Sequence, residues 1–312
     1  MVHSWIAHFS FEDILGKSEA LQRALRLAQS AAKAPYPAVL VGESGTGKEL
    51  FAHAIHNASA RRDGPFVAIN CGTLCGDLAV AEMCGYEPGS FTGADRQAHQ
   101  GLFDAARSGT LFLDELQDLP PTPQSVLLRF LEGGDFVRVG GLQPVHASVR
   151  VIAASNIAVE QLEASQRVRP DLLYRLNFFV INIPPLRERR EDLRPLAERC
   201  LREELHFLGE VDEQVWAALS ACPYDWPGNA RGLRNILLRA ILASSADRIT
   251  VNDLPPELWA ARANGTPKPD SGATDQQSQA IRAVLEATNN NVSETARRLG
   301  VHRSTIYRRL GR

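Results

Sequence analysis

The sequence predicts an α/β fold in which a parallel five-stranded sheet is covered by helices, followed by a small helical domain and a C-terminal all-α unit. Five short apolar or β-branched runs, 38–41, 66–70, 110–113, 149–154 and 178–183, punctuate the first part of the chain. Runs this apolar suit strands buried on both faces. Helix-like segments such as 49–56 and 125–132 lie between most of them, and strands alternating with helices imply parallel pairing. A third observation is the change of character at Pro184, where a charged run to Asp192 opens a helical periodicity that continues to about Leu258.

Taken in order, residues 1–12 form a short leader, 13–184 the α/β part and 185–260 the helical domain. Residues 261–277 are rich in Gly, Pro, Ser and Asp and almost free of apolar side chains. Such a segment cannot repay the entropy of ordering and reads as a flexible linker. Helical patterning returns over 278–312. A chain of 312 residues accommodates two or three such domains.

Composition narrows the classes available. With 44% hydrophobic and 22% charged residues and a net charge of -2, the chain as a whole is drawn to no polyanion, so any nucleic-acid contact must be local. The five cysteines, Cys71, Cys75, Cys84, Cys200 and Cys222, are odd in number and lack CxxC pairs or zinc-ligand spacing to His. Neither a disulfide framework nor a zinc site is indicated, and reduced thiols in the cytoplasm are the expectation. No secretory start precedes the first domain and no run approaches the roughly 18 apolar residues of a membrane span, so no membrane partner is expected.

The first chemical motif is Gly42-Glu43-Ser44-Gly45-Thr46-Gly47-Lys48, between the strand ending at Val41 and a helix. This is the context of a phosphate-cradling loop: glycines let backbone amides approach the phosphates, the helix N-terminus adds partial positive charge, and Lys48 supplies a full one. Glu49 stands where the general motif has a Ser or Thr on Mg²⁺, which leaves Thr46, water or Asp114 to serve the metal. The run Gly109-Thr-Leu-Phe-Leu-Asp114-Glu115 is a buried strand emerging into two carboxylates. Asp114 is placed to hold Mg²⁺ directly or through water, and Glu115 to polarise an attacking water. The fourth strand runs into Ser155-Asn156, where the Asn156 amide either senses the γ-phosphate or is a turn residue. The implied substrate is ATP with Mg²⁺.

Between these elements lies Gly89-Ser90-Phe91-Thr92-Gly93-Ala94, preceded by Gly85-Tyr-Glu-Pro. Glycines flanking Phe91 and Thr92 make a mobile loop that presents an aromatic, which suits transient protein contact. Here the chain resembles the AAA+ activators of sigma-54 RNA polymerase, the bacterial enhancer-binding proteins, whose marker loop reads GAFTGA. Ser90 replaces the usual Ala. The resemblance also takes in Phe11 to Gly16, Asn70-Cys71, Gly109 to Glu115 and Trp226-Pro-Gly-Asn-Ala-Arg231. It implies an AAA+ ATPase core with a helical lid. It further implies that Asn70 restrains Glu115 until the nucleotide state is right, that Arg169 and Arg175 are arginine fingers reaching a neighbouring subunit's ATP, and that Arg231 is a sensor in the lid. Guanidinium groups have their own logic here, since they stabilise charge on a transferring phosphoryl group; pairing of Arg169 with Asp171 is the alternative. The lid motif continues Arg231-Gly232-Leu where the family usually has Arg-Glu-Leu, and glycine at that helical position costs about 1 kcal/mol relative to Ala.

Residues 290–310 read as two helices around a turn at Gly300. Val292, Ala296 and Leu299 share one face, while Ile306 and Leu310 form the apolar side of the second helix. From Ile281 to Arg312 there are seven Arg against two Glu, a basic concentration where DNA would lie. The unit resembles the Fis-type helix-turn-helix of the same family. Arg303, Ser304, Thr305 and Tyr307 are placed to face base edges, and Arg297, Arg298, Arg308 and Arg309 to meet phosphates. A dimerisation module alone is the alternative.

The expected function is that of a sigma-54-dependent activator: it binds double-stranded DNA at upstream enhancer sites, assembles into a ring and uses ATP to remodel the closed complex of the sigma-54 RNA polymerase holoenzyme. The ring is a hexamer by the family's expectation, homomeric or mixed with a paralogue. Competing readings are an AAA+ remodeller or replication initiator with a DNA-binding tail, and a DNA-binding regulator that holds ATP as a structural ligand. The short leader is too small for a sensing domain, so regulation is expected from a separate protein, from expression level, or from a domain outside this chain.

Overall fold

The computed structural model describes residues 6–74, 76, 78–90, 99–244 and 248–259. The chain divides into two compact units, Met1–Ala260 and Ala261–Arg312, and everything described belongs to the first. The expected linker, the helical pair with Arg297 to Arg309, and Phe91, Thr92, Gly93 and Ala94 of the marker loop therefore lie outside the described residues.

Five parallel strands form the sheet: β1 (Ala38–Val41), β2 (Phe66–Asn70), β3 (Thr110–Asp114), β4 (Arg150–Ser155) and β5 (Phe179–Asn182), in the order β2-β3-β4-β1-β5. Each falls within one or two residues of the apolar run that predicts it. Because side chains alternate along a strand, each strand feeds both faces of the sheet. Val39, Val67, Ile69, Leu111, Leu113 and Val151 pack on one side, against helices Pro121–Gly133 and Pro170–Leu176. Leu40, Phe66, Phe112, Ile152 and Ile181 pack on the other, under helices Glu19–Ala32 and Lys48–Asn57. A strand buried on both faces has no place for alternating polar residues, hence the continuous apolar runs. An antiparallel pair, Asp135–Val137 with Pro144–His146, is not legible in the sequence; its strands are three residues each and largely exposed.

The helical domain has its own core around Trp226, Leu233, Ile236, Leu237 and Trp216. It is built from helices Leu193–Arg199, Glu213–Ala221 and Asn229–Ala243. Asp192, fully buried, joins it to the α/β part by accepting from the backbone amides of Lys17 (2.6 Å) and Ser18 (3.0 Å) and from the Ser18 hydroxyl (2.6 Å). Ser18 in turn caps the Glu19–Ala32 helix. Gly232, inside the Asn229–Ala243 helix, has open space where a Cβ would stand and no positive φ. Gly232→Ala is accordingly expected to stabilise the lid by about 1 kcal/mol, read as a raised denaturation midpoint.

His53 sets a pH dependence. It is buried on the Lys48–Asn57 helix, its Nδ1 accepts from the His8 backbone amide (3.0 Å), and burial first, then His8 and His56, pull its pKa down to about 4. A histidine whose folded pKa lies below the unfolded value of about 6.5 contributes its full stability above that value and loses it as pH falls toward 4. Between pH 7 and pH 4 the stability difference between wild type and His53→Gln should move by about 3 kcal/mol in favour of the variant, measured by chemical denaturation.

Candidate active site

The site lies at the carboxyl ends of β1, β3 and β4, where ligands bind in open parallel sheets. The loop from Gly42 to Lys48 leaves β1 and turns into the Lys48–Asn57 helix through Gly45 (φ 79°) and Gly47 (φ 103°), conformations that glycine adopts without strain. At Gly45 a side chain is also barred by the Gly228 carbonyl, only 2.3 Å from where a Cβ would sit. The lid turn is thus in direct contact with the phosphate loop. Lys48 Nζ donates to the Gly42 carbonyl at 2.8 Å, and burial lowers its pKa while Glu115 and Asp114 raise it.

A cavity of about 260 Å³ is lined by Ser44, Gly45, Gly47, Lys48, Glu49, Leu50, Asp114, Glu115 and Arg231. The structure therefore brings most of the predicted nucleotide residues together with both acids. Gly42, Glu43, Thr46 and Asn156 do not line it. Thr46 is buried and donates its hydroxyl to the Glu43 carbonyl at 2.8 Å. Glu43 points at the lid: its carboxylate takes Arg187 at 2.6 and 2.9 Å and the Asn229 amide at 3.1 Å, and the Arg187 hydrogen bond lowers its pKa. Asn156 is exposed one residue beyond β4.

Several lid contacts escape sequence reading because their partners are far apart in the chain. Asn229 also donates to the Ser44 carbonyl (3.0 Å) and accepts from the Leu186 amide (2.7 Å), Arg189 donates to the Thr46 carbonyl (3.1 Å), and Arg231 reaches the Ser44 hydroxyl (2.9 Å). The phosphate loop is thereby clamped by the lid along most of its length. Asn229 adopts φ 49° in the turn after Trp226, which signals a conformation held by its surroundings.

β2 and β3 pair in register so that Asn70 lies opposite Asp114. Burial and the neighbouring Glu115 carboxylate raise the Asp114 pKa. Glu115 has left-handed backbone (φ 54°, ψ 52°) while its amide donates to Asp114 Oδ1 at 3.0 Å. Its carboxylate is hydrogen-bonded by the Gln117 amide. The Asn70 amide oxygen accepts from the Gly72 backbone at 2.9 Å, and among the described residues no hydrogen bond joins the Asn70 side chain to Glu115. No group of three or more His, Cys, Asp or Glu side chains among the described residues is arranged to hold a metal by itself. Cys71, Cys84, Cys200 and Cys222 are free and buried.

Neither Arg169 nor Arg175 lines the cavity. Arg169 forms a bidentate pair with Asp171 (3.0 and 2.7 Å) and donates to the Ser125 hydroxyl (2.9 Å), and Arg175 is exposed at the end of the Pro170–Leu176 helix. The base of the marker loop is fastened to the turn of the antiparallel pair. Ser90 Oγ–H donates to the carbonyls of Val139, at 2.9 Å, and Glu87, and Gly140 packs against the Ser90 side chain. Arg138 adds an ion pair to Asp104 at 2.8 Å and another to Glu87 at 3.4 Å.

A parallel sheet of this order, a phosphate loop with paired acids opposite it, and a helical lid gripping that loop define an AAA+ ATPase. Residues 14–182 match the sigma-54 interaction domain family, 187–271 an AAA+ ATPase lid domain, and 274–312 the Fis family of bacterial regulatory proteins. The chain belongs to the sigma-54 interaction domain family. It is 38% identical over 323 residues to the phenol regulator MopR of Acinetobacter guillouiae, covering 97% of this chain and 56% of the relative. It is 40% identical over 289 residues to the DNA-binding transcriptional regulator NtrC of Escherichia coli K12, covering 90% and 61%. Among solved structures, NtrX from Brucella abortus in complex with ATP superposes with a TM-score of 0.69 at 31% identity, over 96% of this chain and 68% of that one. The chain spans between half and two thirds of the length of these curated relatives. It binds ATP. No helix among the described residues is long and apolar enough to cross a membrane.

Proposed function

We propose that the chain activates transcription from sigma-54 promoters: it binds DNA upstream through residues 278–312, assembles into a ring and uses ATP hydrolysis to convert the closed complex of sigma-54 RNA polymerase into an open one. The observation that carries this reading is the placement of the marker loop. Gly89 to Ala94 sits in the β2–β3 connection, which leaves the sheet at Asn70 and re-enters it on the strand that ends at Asp114 and Glu115. A change at the acidic strand end can therefore reach the loop through one continuous segment.

Within the cavity, Lys48 and the loop amides hold the β- and γ-phosphates, and Glu115 accepts the proton of the attacking water. Mg²⁺, when bound, would neutralise charge on the phosphate oxygens. Asp114 is the residue to hold it, because it lines the cavity as a hard oxygen donor whose raised pKa a cation would relieve, whereas Thr46 is turned onto Glu43. Arg169 and Arg175 stabilise charge on the ATP of the adjoining subunit, for which Arg169 must leave Asp171. The driven loop then presents Phe91 and Thr92 to the sigma factor.

The test is open-complex formation by purified sigma-54 holoenzyme on a promoter with a mapped upstream site. ATP-dependent, heparin-resistant complexes that fail to form with ADP are the expected result. Opening of the same complex without nucleotide, or by a different sigma factor only, would overturn the proposal.

A further inference from the structure

The general base proposed above is held by a residue that no motif singles out. Among the described residues, the single side chain that donates a hydrogen bond to the Glu115 carboxylate is Gln117, from the 3-10 turn Leu116–Asp118 that follows β3. Glu115 lines the cavity together with Lys48, whereas Gln117 does not. Gln117 is only 6% exposed. Its other polar atom, Oε1, is buried without a hydrogen-bond partner among the described residues.

That last fact separates two explanations for a buried amide. A side chain wanted for volume alone would be better served by a hydrocarbon, since an amide with half of its polar capacity unpaired pays desolvation that a methylene chain does not. The one polar contact it makes is with Glu115. The amide orientation is settled by the same contact, because the flipped form would set Oε1 against a carboxylate oxygen. Glu115 itself has left-handed backbone, a conformation that a non-glycine residue keeps only where its surroundings hold it.

We propose that Gln117 is a positioning residue for ATP hydrolysis, holding the Glu115 carboxylate in the cavity that it lines with Lys48. This rests on Glu115 being the base, and it does not depend on the sigma-54 step.

Steady-state ATPase of the full chain, without polymerase or DNA and at protein concentrations where turnover per subunit has levelled off, tests it with two substitutions. Gln117→Met keeps volume and burial but removes the donor; kcat should fall about tenfold while KM for ATP stays within about twofold and thermal stability is unchanged or higher. Gln117→Glu puts an acceptor where the donor stood, so kcat should fall at least as far as in Gln117→Met while KM for ATP again stays within about twofold. Wild-type kcat in Gln117→Met would reduce the residue to core filling and overturn the proposal. A kcat above wild type would also overturn it, by making Gln117 a restraint. If Gln117→Met does not fold, Gln117→Glu decides, and a wild-type kcat there refutes positioning. Glu115→Gln is the control: if it retained turnover, the base assignment would fail, independently of Gln117.

Discussion

Glu115→Gln is expected to lower kcat for ATP hydrolysis by about 10³-fold while nucleotide binding stays intact. The carboxylate and the amide have the same shape, so the lid clamp on Ser44, Gly45 and Thr46 is untouched and Lys48 keeps its place on the loop. What is lost is an acceptor for the proton of the attacking water. Loss of binding and turnover together would instead identify Glu115 as a structural member of the site. Unchanged turnover would remove it from the chemistry. Fluorescent-nucleotide titration beside a phosphate-release assay separates the three outcomes.

The second large effect concerns action between subunits. Arg169→Ala and Lys48→Ala should each abolish most turnover when pure, since an arginine supplied in trans is worth about 10³-fold or more in phosphoryl transfer. Their mixture should recover. A productive interface needs an intact Lys48 on one subunit and an intact Arg169 on its neighbour, and random mixing of equal amounts provides that at about a quarter of interfaces. In this structure the Arg169 guanidinium is absent from the cavity lining and paired with Asp171 on the surface, the arrangement that the alternative reading expects. No recovery at any mixing ratio would mean that the arginine serves its own subunit or none.

The sheet is legible in the sequence because strands such as Leu111 to Leu113 and Val151 to Ala154 are buried on both faces and must be apolar throughout. The phosphate loop is legible because its glycines are required by positive φ at Gly45 and Gly47 and by the approach of Gly228. What joins the lid to that loop is not. Asn229 and Glu43 lie 186 residues apart, and nothing local to either announces the other. Glu43, placed among the nucleotide contacts on motif grounds, turns away to Arg187 and Asn229 because two lid donors outcompete solvent for it. Gln117 is invisible for a related reason. A single glutamine after an acidic pair reads as a turn residue until the fold buries it against Glu115. The C-terminal Arg-rich helices and the tip of the marker loop rest on sequence and family alone.

The most direct measurement is Thr92→Ala assayed in parallel for ATP turnover and for open-complex formation with sigma-54 holoenzyme. If the marker loop is the output of the nucleotide site, the variant keeps ATPase activity and loses promoter opening. A variant that lost ATPase activity yet still stimulated open-complex formation would contradict the loop's role and return the chain to the wider class of AAA+ remodellers with a DNA-binding tail.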